Sequence, residues 1–182
     1  MCGRVVQKTP MSEIRVLFET VNPVPNAAPT YNGAPTDTLP IVRLDGDGRR
    51  SLDLLRWGLV PWWAKDIKMG SRCINAMAET VAAKPAFRDA FARGQRCIMP
   101  VDGFYEWQKT TAGKQPHAIV SADGLPLAMA GLWERWKDRA SGGHHPDLYH
   151  HDNGSQRALR RDSRPHAGDP VAREMGGVAG RA

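Results

Sequence analysis

Arg96–Lys109 reads RCIMPVDGFYEWQK. The first six residues are mostly aliphatic, the last six open on an aromatic cluster, and Asp-Gly between them is a strong two-residue turn signal, so the stretch predicts a β-hairpin. The pattern recurs on either side. LPIVRL (39–44) and SLDLLRW (51–57) flank DGDG and predict a second hairpin, and PHAIVSA (116–122) with LPLAMAGLWERW (125–136) reads as strand, turn, strand. Helices are few. MSEIRVLFETV (11–21) sets Ile14, Leu17, Phe18 and Val21 on one face with Ser12 placed to cap it, and a second helix is expected within AETVAAKPAFRDAFAR (78–93), opened or broken by Pro85. The expected class is α+β, mostly antiparallel β with a few flanking helices. Without alternating βαβ units, a GxGxxG or a P-loop, a dinucleotide or NTP enzyme is not expected.

Composition narrows the field. A chain of 182 residues, 41% hydrophobic and 24% charged, suits one globular domain. Its most apolar stretch, WGLVPWWA (57–64), is far too short to span a bilayer, so no membrane association and a cytoplasmic location are expected. Cys2, Cys73 and Cys97 are widely spaced without a CxxC pair, which predicts reduced thiols and neither a disulfide framework nor a metal site. No cofactor is implied. The net charge of +6 favours an anionic partner such as nucleic acid.

Chemistry begins at MCGR. Cysteine is small enough for Met1 to be removed in front of it, which would leave Cys2 with a free amine and a thiol on adjacent carbons. With ordinary pKa values near ~8 and ~8.5, both groups have a nucleophilic fraction at neutral pH. Such a 1,2-aminothiol can act as an N-terminal nucleophile, or condense with an aldehyde to an imine that the thiol closes into a thiazolidine. These four residues also fit a plain exposed chain end.

MCGR, YNGAPTD (31–37), RWGLVPWW (56–63), INAMAET (74–80) and MPVDGFYEW (99–107) occur in this order, and together they resemble the SRAP family of abasic-site processing proteins. The resemblance runs from Met1 to about Trp136. It implies a mostly β barrel or sandwich with a central cleft holding the N-terminal cysteine. It also implies a reaction in which that cysteine captures the ring-opened aldehyde of an abasic site in single-stranded DNA as a thiazolidine crosslink. Glu106 matches the family's catalytic glutamate, which would shuttle protons during ring opening and imine formation; taken alone it reads more readily as a solvated strand residue. Asn75 matches the active-site asparagine, with a turn-forming role as the alternative. Arg4 and Asn32 match positions near the DNA backbone and cleft. Trp62 and Trp63 match an aromatic pair that stacks on a base, and because adjacent residues of a strand cannot both face inward, at least one should be exposed. Trp57 reads as core. Met77 stands where the family commonly has arginine, which should weaken DNA binding and its salt dependence, with Lys65, Lys68, Arg72 and Arg96 as partial substitutes.

The text changes at about Gly143. Residues 1–143 carry all six Trp and all four Phe, whereas 144–182 hold five of the six His and only four Leu and Val together. Without a helical or strand period, 144–182 predicts a disordered tail behind an incomplete domain at 1–143. The paired histidines there are too weakly organised to predict a metal site. The family resemblance implies instead a strand near TIITT, then HDRMP with an assisting histidine. RDSRPHAG (161–168) can be encoded as CGA GAT TCA CGA CCG CAT GCC GGT, which one base later reads E-I-H-D-R-M-P. His144–Asn153 likewise permits I-T-R-T-C-T-I-T-T-T. Both motifs in one shifted frame point to a +1 frameshift near Gly142 or Gly143.

The expected function is therefore that of a monomeric abasic-site sensor crosslinking single-stranded DNA through Cys2, impaired by its altered end. Two alternatives use the same residues. One is an N-terminal-nucleophile peptidase with Cys2 and Glu106; the other is a passive single-strand binder using Trp62, Trp63 and the basic residues.

Overall fold

A computed structural model describes residues 3–137, together with the backbone of 151–157. Among the described residues nine strands fall into two groups. A four-stranded sheet has the order β2-β1-β6-β7, and a closed barrel runs β3-β4-β9-β8-β5. The sheet is built from β1 (Val5–Gln7), β2 (Thr30–Gly33), β6 (Gly103–Thr110) and β7 (Gly113–Val120). The barrel takes β3 (Thr38–Leu44), β4 (Arg50–Trp57), β5 (Arg96–Val101), β8 (Leu127–Arg135) and β9 (His151–Arg157). All described pairings are antiparallel except β4 with β9. This is the α+β, mostly antiparallel class that the strand patterns predict.

The DGDG hairpin forms as expected, with Leu39 opposite Leu55 and Leu44 opposite Arg50. RCIMPVDGFYEWQK does not form a hairpin. Its Asp-Gly turn is a crossover between the two sheets: β5 pairs with β3 and β8, whereas β6 pairs with β1 and β7. The stretch from 116 to 136 also divides, with β7 at the edge of the sheet and β8 in the barrel. A further hairpin joins β6 to β7 through Thr111 and Ala112, with Glu106 opposite His117.

The barrel interior explains the divided strands. Leu39, Ile41, Leu55, Trp57, Met99, Val101 and Met129 form one buried cluster that also takes Val5 from β1, and Phe104 of β6 packs against it. Sheet and barrel therefore share a core. α1 (Met11–Leu17) covers the barrel's outside, where Ile14 packs with Val42 and Leu52, and Phe18 adds to the contact. Burying Ile14 contributes about 1.5–3 kcal/mol. Pro10 is the N-cap of α1 in place of the expected Ser12, and the helix ends before its predicted last turn, leaving Leu17 and Val21 exposed. The second helix is short. α2 (Arg88–Ala92) begins only after a series of turns containing Pro85, and it packs Ala90 and Phe87 with Leu132.

One barrel strand, β9, falls within the stretch read as a tail. The rest of 144–182 lies outside the described residues, as does Cys2.

Candidate functional site

The start of the chain is led to Glu106 by strand register. Val5 lies opposite Phe104 and Val6 opposite Gly103, and the Tyr105 amide donates to the Arg4 carbonyl at 3.0 Å. Continuing this register places Gly3 beside Glu106. A side chain at Gly3 would meet nothing within 4 Å, so the strand leaves open space there. Alternation along β6 then puts Glu106 on the same face as Phe104, toward the shared core, with Arg4 on the opposite face beside Tyr105 and Trp107. The Tyr105 and Trp107 rings lie 6.5 Å apart. Of the β6 aromatics beside Glu106, Phe104 shares its face and Tyr105 and Trp107 do not.

Asn75 reaches the same region by another route. Gly58 adopts φ 119°, and a Cβ there would lie 2.5 Å from the Gly70 carbonyl oxygen, so glycine permits the chain after β4 to lie against the 3-10 turn Ile67–Arg72. The following segment is then fastened to it. The Leu59 amide donates to the Cys73 carbonyl at 3.1 Å, and the Trp57 indole donates to the Ile74 carbonyl at 3.0 Å. Ile74 packs against the cluster that holds Val5, and Phe104 does the same. Gly3, Asn75 and Glu106 thus each lie within two residues of a side chain in one apolar cluster. Glu106, Asn75 and Arg4 are all engaged in further interactions.

Trp62 and Trp63 sit on a turn rather than a strand, which is why both are exposed, at 45% and 39%. Asn32 is exposed on β2, one residue before Gly33, which pairs with Val5. Trp57 is fully buried, as its reading as core requires. Met77 is 53% exposed. Burial raises the Cys73 thiol and pushes Cys97 up to about 12, with Arg43 only partly opposing the latter, so neither is a nucleophile at neutral pH. Among the described residues no cluster of His, Cys, Asp and Glu could hold a metal, and no helix is long and apolar enough to cross a membrane.

Sequence reasoning missed three residues of this region. His117 faces Glu106 across the β6–β7 pair, with its Nε2 3.1 Å from Gln108 Oε1; the turn residues at 111–113 were the available signal. Gln7 ties β1 to the barrel, donating to the Pro40 and Pro100 carbonyls. Asp89 accepts a hydrogen bond from the Trp62 indole at 2.8 Å.

A four-stranded sheet packed on a closed barrel, with the chain's first strand threaded beside a glutamate, is the architecture of a small β domain whose candidate site lies at its N-terminus. The chain matches the family described as SOS response associated peptidase (SRAP) over residues 1–151, and it belongs to that family. It is 41% identical over 139 residues to the abasic site processing protein YoaM of Bacillus subtilis, covering 75% of this chain and 60% of that protein. With the abasic site processing protein HMCES of Gallus gallus it shares 38% over 142 residues, or 63% of this chain and 42% of that one. The chain therefore spans about three-fifths of the bacterial relative's length. Two crystal structures share the fold. A Bacteroides thetaiotaomicron protein superposes with TM-score 0.72 at 22% identity, covering 84% of this chain and 66% of its own. A Bordetella bronchiseptica protein gives 0.65 at 29%, with coverages of 76% and 66%.

Proposed function

We propose that this protein processes abasic sites in single-stranded DNA, and that it does so by covalent capture through Cys2 once Met1 is removed. The observation that carries the reading is the register of β1 on β6. Extended by two residues, that register brings Gly3 opposite Glu106, and Cys2 is the residue bonded to Gly3. The names of the relatives support the substrate class.

The chemistry balances without a cofactor. The α-amine of Cys2 adds to the C1′ aldehyde of the ring-opened sugar, and loss of water gives an imine. The Cys2 thiol then adds across the C=N bond, the nitrogen takes the thiol proton, and a thiazolidine results. Glu106 accepts and returns protons as the sugar opens and water leaves. Asn75 orients the amine or sugar hydroxyls through its amide. Arg4 and Asn32 contact the strand, and Trp62 with Trp63 offers a stacking surface worth about 1–3 kcal/mol per base.

The test is incubation with an abasic single-stranded oligonucleotide, followed by a denaturing gel and intact-mass measurement. A heat-stable adduct lacking Met1 and absent from Cys2→Ala is expected. An adduct that persists in Cys2→Ala overturns the assignment, and peptide turnover without any DNA adduct would favour the peptidase chemistry instead.

A further inference from the structure

We propose that Asp89 is a positioning residue for DNA binding, holding the Trp62 indole in the orientation in which the Trp62–Trp63 turn stacks on bases. The proposal rests on the stacking role given to that turn above.

The backbone of the turn is already fixed. The Ala64 amide donates to the Pro61 carbonyl at 2.8 Å, and the Ala64 carbonyl accepts from the Trp136 indole at 2.7 Å. Val60, Ala64 and Trp136 are buried together beneath it, with Ile67 and Met69 packed alongside. None of this fixes the exposed side chains. An indole this accessible keeps its rotamer freedom and loses it on binding, at a cost in affinity.

For Trp62 one bond removes that freedom. Its Nε1 donates to Asp89 Oδ2 at 2.8 Å, while Asp89 Oδ1 faces Arg88 Nε at 3.5 Å. The carboxylate is thus shared between an indole and a guanidinium. Asp89 itself stands on α2, whose Ala90 is buried with Phe87 and Leu132, so the acceptor is carried by a seated element. A carboxylate beside a phosphate-binding surface is electrostatically unfavourable. Arg88 offsets that charge, and the fixed indole is what the aspartate provides in return.

The experiment is fluorescence anisotropy of a labelled, undamaged single-stranded oligonucleotide with the full chain at fixed salt. Asp89→Ala should bind about three- to tenfold more weakly. Asp89→Asn, which keeps an acceptor and loses the charge, should bind at least as well as the parent. In a Trp62→Phe background, which has no indole N–H, Asp89→Ala should add no further loss. Unweakened binding by Asp89→Ala, or an equal loss in the Trp62→Phe background, overturns the positioning role. If Trp62→Ala and Trp63→Ala both leave affinity unchanged, the stacking reading falls and the role of Asp89 with it; a loss from Trp62→Ala without one from Asp89→Ala removes Asp89 alone.

Discussion

Replacing Gln7 should unfasten the strand that carries the N-terminus, and the reason lies in two prolines. β3 pairs with β5 at Val42–Ile98 and Arg43–Cys97, and continuing that register brings Pro40 opposite Pro100. Neither has an N–H, so the ladder cannot close there, and two buried carbonyls are left without backbone donors across the gap. The Gln7 amide fills it. Its Nε2 carries two protons and lies 3.1 Å from the Pro40 oxygen and 2.7 Å from the Pro100 oxygen, with the residue only 4% exposed. Gln7→Leu keeps the approximate volume and strands both carbonyls, at about 1–3 kcal/mol each. Part of that is recovered, because Gln7 Oε1 is itself buried without a partner and leaves with the substitution. The net loss should be about 1–3 kcal/mol, read as a lower urea midpoint by tryptophan fluorescence. Gln7→Glu should be worse at neutral pH, since an ionised carboxyl faces two carbonyl oxygens and can donate to neither. Burial would raise that carboxyl's folded pKa, so the variant should be most stable in acid and lose stability as pH rises through the raised value. A loss below about 0.5 kcal/mol for Gln7→Leu, or a pH-independent deficit for Gln7→Glu, would refute the ladder-filling account.

Met77→Arg should tighten single-strand binding and steepen the salt slope by about 0.7, because the exposed site accepts the side chain and adds one phosphate contact; an unchanged slope across a salt series counts against it. Asp102→Ala should cost about 1–3 kcal/mol at pH 7. Burial pushes the Asp102 carboxyl up, but bonds from Thr9 Oγ1, the Thr9 amide and the Lys8 amide outweigh it and hold it below its usual 3.8. Its contribution is therefore present above that value and lost as pH falls through the lower folded one, so the gap between variant and parent should close in strong acid and should persist there only if the bonds are not the cause. Restoring the reading frame at codon 143 should give a chain with a higher urea midpoint and faster crosslinking. Equal stability of the two forms would sink the frameshift reading.

Local pattern made the strands legible and paired β3 with β4 correctly, and locality is also why the partners of β5, β6 and β7 were not. Asp-Gly after Val101 has the chemistry of a hairpin turn, but a turn signal says only that the chain reverses or bends. What separates β5 from β6 is the cluster in which Met99 and Val101 face the barrel while Phe104 packs from the sheet side. That choice depends on Leu39, Leu55 and Met129, all distant in sequence. The candidate site divides in the same way. Trp62, Trp63, Asn75 and Glu106 stand in motifs and could be named, whereas Asp89 and Gln7 are joined to their partners by long-range hydrogen bonds, across 27 residues to Trp62 and across 33 and 93 to Pro40 and Pro100, that no spacing announces.

β9 is the strand where pattern and position disagree. It lies between β4 and β8, with Trp57 opposite Asn153 on one side and Glu134 opposite Asp152 on the other. A barrel strand offers every second residue to the interior, and its neighbours here supply Trp57 and Met129 to the central cluster. The sequence at 151–157, HDNGSQR, has no apolar residue to offer. The shifted reading of 144–153 differs in kind: threonine occupies every odd position, and isoleucine, arginine, cysteine, isoleucine and threonine follow in turn at the even ones. That is a β-branched, period-two strand, of the type that a slot between two core-facing neighbours selects. We propose on this ground that the slot between β4 and β8 belongs to the strand of the shifted frame, whose period-two pattern falls within a few residues of 151–157.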